Sequence, residues 1–128
     1  MIIGDLNAGP DASIGNYQSI IDAGFRDIYA EAKREGVLVE GKPIITWDPA
    51  NLLNLAGPHA YCPGQRCDHL FLPTKYMNVT KVEVVCTEAI VTSKLALPSK
   101  ADPKVMDPPR AVEVTPSDHY GLWFELTL

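Results

Sequence analysis

The sequence predicts an α/β fold of the α+β type, with one mixed or antiparallel sheet of about five or six strands and helices on one face. The chain has 128 residues, the usual size of one domain. It is 46% hydrophobic and 21% charged, values close to globular averages that argue against disorder, collagen and coiled coil. Helical spacing precedes residue 36 and strand-like alternation follows it. We expect a single domain over 1–128, because the sequence shows neither a repeat nor a second domain.

The first third of the chain predicts one strand and two short helices. Met1–Leu6 is apolar and then abruptly polar, which is typical of a strand that ends at Asp5-Leu6-Asn7. Turn formers fill Ala8–Ser13 and predict a loop. Helical spacing over Tyr17–Ala23 and again over Asp27–Lys33 predicts two helices, the second of which stops at Gly36.

The remaining chain predicts strands separated by loops. Its apolar or alternating segments are Ile44–Trp47, Cys67–Leu72, Thr80–Val91 and Tyr120–Leu128. Glycines and prolines between residues 56 and 64 predict an irregular loop. A Pro-rich, charged stretch at about 97–116 predicts a surface excursion that lies outside the core.

Charge and hydropathy exclude several classes of protein. The formal charge of −5 argues against broad non-specific binding of nucleic acid, which needs Lys and Arg to neutralise phosphates. It leaves phosphate-ester chemistry open, because a divalent metal can supply positive charge. No apolar run approaches the about 20 residues of a membrane span. Asp5 comes too early for a signal peptide. The sequence leaves the localisation open, with the cytoplasm favoured and any targeting signal expected upstream of Met1.

The three cysteines leave three alternatives open. Three is too few for a disulfide-dense secreted scaffold. Cys62 and Cys67 are close enough in sequence to form a disulfide, and with His59 and His69 they form an irregular candidate zinc group. Buried free thiols are the more frequent outcome for such residues, and we expect them here.

Asp5 and Asn7 stand at the end of the first predicted strand. Because they are two residues apart, their side chains point to the same face. A carboxylate beside a carboxamide can orient a nucleophile and donate to an anionic substrate oxygen. Asp and Asn also end strands and begin turns, which is the more frequent role of such a pair taken alone.

A second group of polar residues lies near the last two predicted strands. Asp118 and His119 offer a metal ligand and a base with a pKa near neutrality, although an isolated Asp-His pair is more often an exposed turn. Asp68 lies in an apolar strand, where a carboxylate needs a partner such as a histidine. A strand carboxylate can fix the orientation of a catalytic histidine.

Four short motifs follow one another along the chain: Gly4-Asp5-Leu6-Asn7, Thr46-Trp47, Arg66-Cys67-Asp68-His69 and Ser117-Asp118-His119. In this order they resemble the later motifs of the endonuclease/exonuclease/phosphatase superfamily, which includes deoxyribonucleases, abasic-site endonucleases, inositol polyphosphate phosphatases and neutral sphingomyelinases. The resemblance covers essentially the whole chain. It implies a metal-dependent phosphoesterase that uses Mg²⁺ (or Mn²⁺) for in-line attack of water on a phosphodiester or phosphomonoester.

The resemblance implies a role for each matched residue. Asp5 orients or deprotonates the attacking water, and Asn7 contacts the scissile phosphate. Asp68 is the partner of His119, which is the essential histidine near the phosphate, and Asp118 is the metal-associated carboxylate.

The segment after the second motif resembles a substrate-side loop. Thr46-Trp47-Asp48 is similar to the corresponding segment of bacterial sphingomyelinases, so Trp47 and Asn54 are candidate substrate-binding residues. Trp47 is equally compatible with a core aromatic side chain, and Asn54 with a turn residue.

The sequence also departs from the superfamily pattern. The early Asn, the principal metal-ligand Glu and a mid-chain His or Tyr have no counterpart, since the chain begins at the first matched strand. The resemblance therefore implies half of a four-layer α/β/β/α sandwich, with weak Mg²⁺ binding and little hydrolysis by this chain alone. We expect an uncovered sheet face that binds a missing N-terminal half or a second copy of the chain.

The expected substrate is a phosphate ester. Acidic charge and the lack of a basic aromatic patch favour a lipid or small phosphodiester over nucleic acid, which stays possible. The alternatives to an enzyme are a non-catalytic remnant or interaction module that keeps the motif residues, and a small acidic binding domain.

Overall fold

The computed structural model describes residues 1–10, 13–40, 45–73 and 77–127. The fold is mixed α+β, as the sequence predicts. Its helices and strands are β1 (Ile2–Asp5), α1 (Ile14–Asp22), β2 (Arg26–Asp27), α2 (Ile28–Glu35), α3 (Leu52–Leu55), β3 (Asp68–Leu72), β4 (Asn78–Val85), β5 (Val91–Leu95), β6 (Arg110–Val114) and β7 (Gly121–Thr127). None of the helices in the described ranges is long and apolar enough to cross a membrane.

The chain forms two compact units. Unit 1 comprises Met1–Thr46, Gln65–Val85 and Gly121–Leu128, and unit 2 comprises Trp47–Gly64 and Cys86–Tyr120.

The described residues of unit 1 form two antiparallel sheets. In the first sheet β3 is the central strand, paired with β1 from Ile2↔Phe71 to Asp5↔Asp68 and with β2 on its other edge. In the second sheet β4 pairs with β7. The opposite edge of β4 is covered by Leu38, which pairs with Val82 in parallel.

Helix α2 covers the core of unit 1. The Asp27 carboxylate caps its N-terminus by accepting from the backbone N–H of Tyr29 at 3.0 Å, and Gly36 ends it in a left-handed conformation with φ 73°. The helix buries Ile28 and Ala32 among apolar side chains of β3 and β4. The predicted helix over Asp27–Lys33 is therefore confirmed, as is the predicted early helix, which lies at Ile14–Asp22.

Unit 2 contains one two-stranded sheet and one short helix. Strands β5 and β6 pair in antiparallel register from Val91↔Val114 to Leu95↔Arg110. The side chain of Asn51 caps α3 by accepting from Leu53 N–H at 3.1 Å. Trp47, which precedes α3, and His119, which follows β6, form an isolated antiparallel bridge.

The described strands form three separately hydrogen-bonded sheets, in place of the single sheet expected from the sequence. One reason is that the predicted strand over Thr80–Val91 is wrong as a continuous strand. It divides into β4 and β5 because Cys86 adopts a left-handed backbone conformation, with φ 61°, which ends the extended chain.

The expected surface excursion at about 97–116 is corrected in part. It contains strand β6, and it contributes Leu97 and Val114 to the buried side chains, with 8% and 3% of their surface exposed. Four of its prolines precede β6 and Pro116 follows it, so no proline lies within the strand and the pairing with β5 stays intact.

Three other predicted segments fall partly outside the described residues. Of the predicted strand Ile44–Trp47, only the bridge at Trp47 is formed, and Ile44 lies outside the described residues. Residues 11–12 of the predicted loop and Leu128 of the last predicted strand also lie outside them. All three cysteines are free, and Cys67 alone is fully buried.

Candidate functional site

Asp5 and Asp68 are direct partners across the β1–β3 ladder. Residues directly opposite each other in antiparallel strands point to the same face, with Cβ atoms about 4.5–5.5 Å apart. The two carboxylates therefore share one face of the sheet. Asp5 is exposed to solvent and Asp68 is half-buried.

Asn7 is held against Asp5 by two contacts. Its backbone N–H donates to Oδ1 of Asp5 at 2.8 Å, and its side-chain nitrogen lies 3.4 Å from Oδ2. Asn7 has φ 45°, a left-handed conformation that Asn adopts more readily than most residues. The turn after β1 thus brings a carboxamide and a carboxylate together.

Thr46 holds the start of β3 in place. It is fully buried, and its Oγ1 accepts from the backbone N–H of Cys67 at 3.0 Å and of Asp68 at 3.1 Å. Burial, together with the negative charges of Asp5 and Asp68, raises the pKa of the Cys67 thiol to about 11. Burial is the larger cause of this raised pKa, and the two carboxylates add to it.

In unit 2 two buried asparagines hold the Ser117-Asp118 backbone. The side-chain nitrogen of Asn51 donates to the carbonyl of Ser117 at 3.1 Å. That of Asn54 donates to the carbonyls of Asp118 at 2.9 Å and Asp48 at 2.8 Å. Both asparagines are 5% exposed, so these hydrogen bonds replace lost solvation and fix the segment on α3.

The side chains around His119 complete this second group. The backbone N–H of His119 donates to Oγ of Ser117 at 3.1 Å, and the same hydroxyl donates to Oδ1 of Asp118 at 3.3 Å. Tyr120 donates its hydroxyl to Asp48 at 3.1 Å. Burial and then the charge of Asp48 raise the pKa of Tyr120.

The predicted site residues thus form two groups, one in each unit. The structure brings Asp5, Asn7 and Asp68 together in unit 1, and Trp47, Asn54, Asp118 and His119 together in unit 2. The expected hydrogen bond between Asp68 and His119 stays a prediction. Among the described residues, no group of three or more His, Cys, Asp or Glu side chains is arranged to hold a metal ion.

Two predicted substrate-binding residues are largely buried. Trp47 is 7% exposed, which favours the interpretation as a core aromatic side chain. Asn54 uses its amide N–H groups on two backbone carbonyls, so its visible contribution is to position Asp118.

A buried ion pair between Asp27 and Arg66 was not expected from the sequence. The two guanidinium nitrogens of Arg66 lie 2.6 and 3.1 Å from the Asp27 carboxylate oxygens, and Tyr17 donates its hydroxyl to the same carboxylate at 2.7 Å. Burial alone would raise the pKa of Asp27, but the hydrogen bonds and charge of Arg66 outweigh it and hold that pKa below its ordinary value. Asp27 and Arg66 are far apart in sequence. The only sequence signal for either residue was that Arg66 belongs to one of the four motifs.

His69 is part of the same buried network. Arg66 donates to its Nδ1 at 2.8 Å, and because arginine has only donors, Nδ1 must be unprotonated. Nε2 therefore carries the proton and donates to the Arg66 carbonyl at 3.1 Å. Burial and the charge of Arg66 lower the pKa of His69. With both ring nitrogens occupied, His69 does not serve the zinc alternative.

Comparison of the sequence with family models and curated proteins, and of the structure with solved structures, gives no match. The protein has a mixed α+β fold and carries two groups of polar residues. Any function therefore rests on the residues themselves.

Proposed function

We propose that this protein is a metal-dependent phosphoesterase domain, which hydrolyses a phosphodiester or phosphomonoester by in-line attack of water. The observation that supports this most is the register of β1 and β3, in which Asp5 and Asp68 are direct partners. The superfamily resemblance assigns a role to both residues, and it also assigns one to Asn7, whose backbone N–H donates to Asp5.

The chemistry of this pair suits Mg²⁺ or Mn²⁺. Mg²⁺ in proteins is bound through oxygen ligands, often one or two carboxylates together with water and substrate phosphate oxygens. The resemblance assigns the metal to Asp118, and the paired carboxylates of Asp5 and Asp68 add negative charge that attracts the ion. The bound ion supplies positive charge that stabilises the phosphoryl group in the transition state.

The side chains of this chain have distinct roles in the proposal. Asp5 orients the attacking water and accepts its proton, while the Asn7 amide donates to a phosphate oxygen. His119 stabilises charge near the phosphate, and Asp68 orients its ring. Asn54 fixes the backbone of the segment that carries Asp118 and His119.

The finer architecture is also part of the proposal. The domain would be half of a four-layer α/β/β/α sandwich, completed by a first half that carries the superfamily's principal Glu ligand. We favour a lipid or small phosphodiester as substrate. The second candidate, a non-catalytic interaction module, is favoured by the exposure of two large apolar side chains, Ile3 at 65% and Trp123 at 55%.

Metal binding provides the first test. Paramagnetic Mn²⁺ added to the purified, isotopically labelled chain should first broaden the amide resonances around Asp5 and Asp68. Asp5→Asn should weaken this effect about tenfold or more. Asp22→Asn, which alters an exposed carboxylate at the end of α1, is the matched control and should leave it unchanged. Equal broadening near every exposed carboxylate would contradict the assignment.

Hydrolysis of a chromogenic phosphodiester in Mg²⁺ provides the second test. We expect the chain alone to be slower than the completed enzyme by about three decades, because a metal ligand and part of the cleft are missing. Adding a first half that supplies the Glu should restore turnover, and His119→Ala should then abolish it. Metal binding without hydrolysis in either form would favour the interaction module. Rapid hydrolysis by the chain alone, abolished by His119→Ala, would refute the need for a first half.

A double-mutant cycle tests the pairing of Asp68 with His119. Asp68→Asn and His119→Gln should be non-additive, with a coupling free energy of about 0.5–3 kcal/mol. Additive effects on hydrolysis by the completed enzyme would contradict the pairing.

A further inference from the structure

Unit 2 contains a cavity of about 620 Å³ that the proposed phosphoesterase chemistry does not use. Its apolar lining includes Leu52 and Leu55, which are three residues apart on α3 and so share one face of the helix. Leu97, which is 8% exposed, lines it from another segment of the same unit. The volume is within the range of about 300–1,000 Å³ that is usual for small-molecule sites.

The charged side chains along this cavity are net positive, and its two cations are exposed to solvent. Lys100 and Arg110 line it, against a single acidic side chain, Asp107. Neither cation forms an ion pair with a carboxylate in the described part of the chain. In a protein with a formal charge of −5, two unpaired cations beside leucine side chains are complementary to an anion with an apolar body.

Backbone hydrogen bonds hold together the wall of the cavity that residues 95–110 form. The N–H of Asp107 donates to the carbonyl of Leu97 at 2.8 Å, and that of Ser99 donates to Val105 at 2.7 Å. Arg110 is the direct partner of Leu95 in the β5–β6 sheet. This wall of the cavity is therefore ordered before any ligand binds, which lowers the cost of ordering it on binding.

We propose that this cavity binds a single-chain amphiphile with an anionic head. Its alkyl chain lies against Leu52, Leu55 and Leu97, and its head lies between Lys100 and Arg110. Fatty carboxylates and alkyl phosphates share this chemistry. The site is independent of Asp5, Asp68 and His119, so its failure would leave the proposed phosphoesterase activity untouched.

Calorimetric titration with a set of twelve-carbon amphiphiles, below their micelle concentrations, tests the ligand class. Dodecanoate and dodecyl phosphate should bind, and dodecyltrimethylammonium should bind about tenfold more weakly or not at all. Each methylene removed from the chain should weaken binding by about fourfold. The ranking of the two anions distinguishes a carboxylate from a phosphate source. A cationic amphiphile that binds as tightly as the anions would overturn the proposal.

Substitutions test the location. Ala101, an exposed residue that lines the cavity, can be changed to tryptophan to fill it, and Ala101→Trp should abolish binding. Lys100→Gln and Arg110→Gln together should weaken binding of the anions about tenfold and leave a neutral twelve-carbon glycoside unaffected. Lys94→Gln, on the exposed side of β5, is the matched control and should have no effect. Unchanged binding in Ala101→Trp, or equal losses in Lys94→Gln, would refute the assignment.

Discussion

Removing Arg66 from its buried pair with Asp27 should strongly destabilise unit 1. We consider Arg66→Met, which keeps most of the side-chain volume and removes the charge. Asp27 and Arg66 are 4% and 5% exposed, so the substitution leaves a carboxylate in a site that water barely reaches. It also removes the guanidinium that lies 4.5 Å from the centre of the Tyr29 ring.

The expected cost is about 3 kcal/mol in the free energy of unfolding. Breaking a buried ion pair at one partner costs about 3–5 kcal/mol. The lower end applies here because Asp27 keeps the Tyr17 hydroxyl at 2.7 Å and the N–H of Tyr29 at 3.0 Å. The control is Arg34→Met, in which an arginine that is 70% exposed loses its surface ion pairs, and its cost should be about 0.5 kcal/mol or less.

The pH dependence of this loss has a definite sign. In the wild-type protein the pKa of Asp27 is lowered, so its contribution to stability is present above the unfolded-state pKa of about 3.9 and is lost as pH falls through the folded-state value. Without Arg66, burial raises the pKa of Asp27, and its carboxyl group takes up a proton at higher pH. The difference in stability between wild type and Arg66→Met should therefore narrow as pH falls from 7 to 4.

Urea unfolding followed by far-UV circular dichroism at several pH values measures both effects. Asp27→Asn keeps a good helix cap, and combined with Arg66→Met it completes a double-mutant cycle that isolates the ion pair. A cost for Arg66→Met no larger than that for Arg34→Met, or one that does not change with pH, would refute this account.

Two glycines and two cysteines give further predictions. A Cβ at Gly9 would lie 2.5 Å from the Arg66 carbonyl oxygen, whereas one at Gly15 in α1 would meet nothing within 4 Å. Gly9→Ala should therefore cost about 1–3 kcal/mol and Gly15→Ala should stabilise by about 0.5–1 kcal/mol, as urea unfolding can show. Cys86, which is exposed, should react with Ellman's reagent at pH 8 within minutes. Cys67, buried and with its pKa raised to about 11, should react only on unfolding, and comparable rates would contradict this.

Helix α2 could be predicted because its signals are local. Asp27 offers a capping carboxylate, and Gly36 offers a residue that adopts a left-handed conformation at no steric cost. Both signals depend on neighbours within a few positions, which a single sequence displays directly.

The break after β4 and the strand β6 could not be predicted, for opposite reasons. The alternation of Val82 and Val84 continues through Cys86, and cysteine is not a turn former, so nothing in the sequence marks its positive φ. Strand β6 follows directly after Pro108-Pro109 and has only Val114 fully buried, so it lacks the apolar signal of a core strand.

The candidate site could likewise be predicted from the sequence only in part. Motif order led to Asp5 and Asp68, whose cross-strand pairing follows from the β1–β3 register. The buried roles of Asn54 and Arg66 depend on carbonyl and carboxylate partners far away in sequence, Asp118 and Asp27, which no local pattern encodes.

The asparagine contacts of α3 have a consequence for how this protein can change over evolutionary time. The side chains of Asn51 and Asn54 donate to the main-chain carbonyls of Ser117 and Asp118. Every amino acid has such a carbonyl group. These hydrogen bonds to the main chain therefore stay available whichever side chains stand at 118 and 119. Single substitutions can exchange an acid or a base there while these hydrogen bonds hold the loop. New side-chain chemistry can therefore arise at little cost in stability.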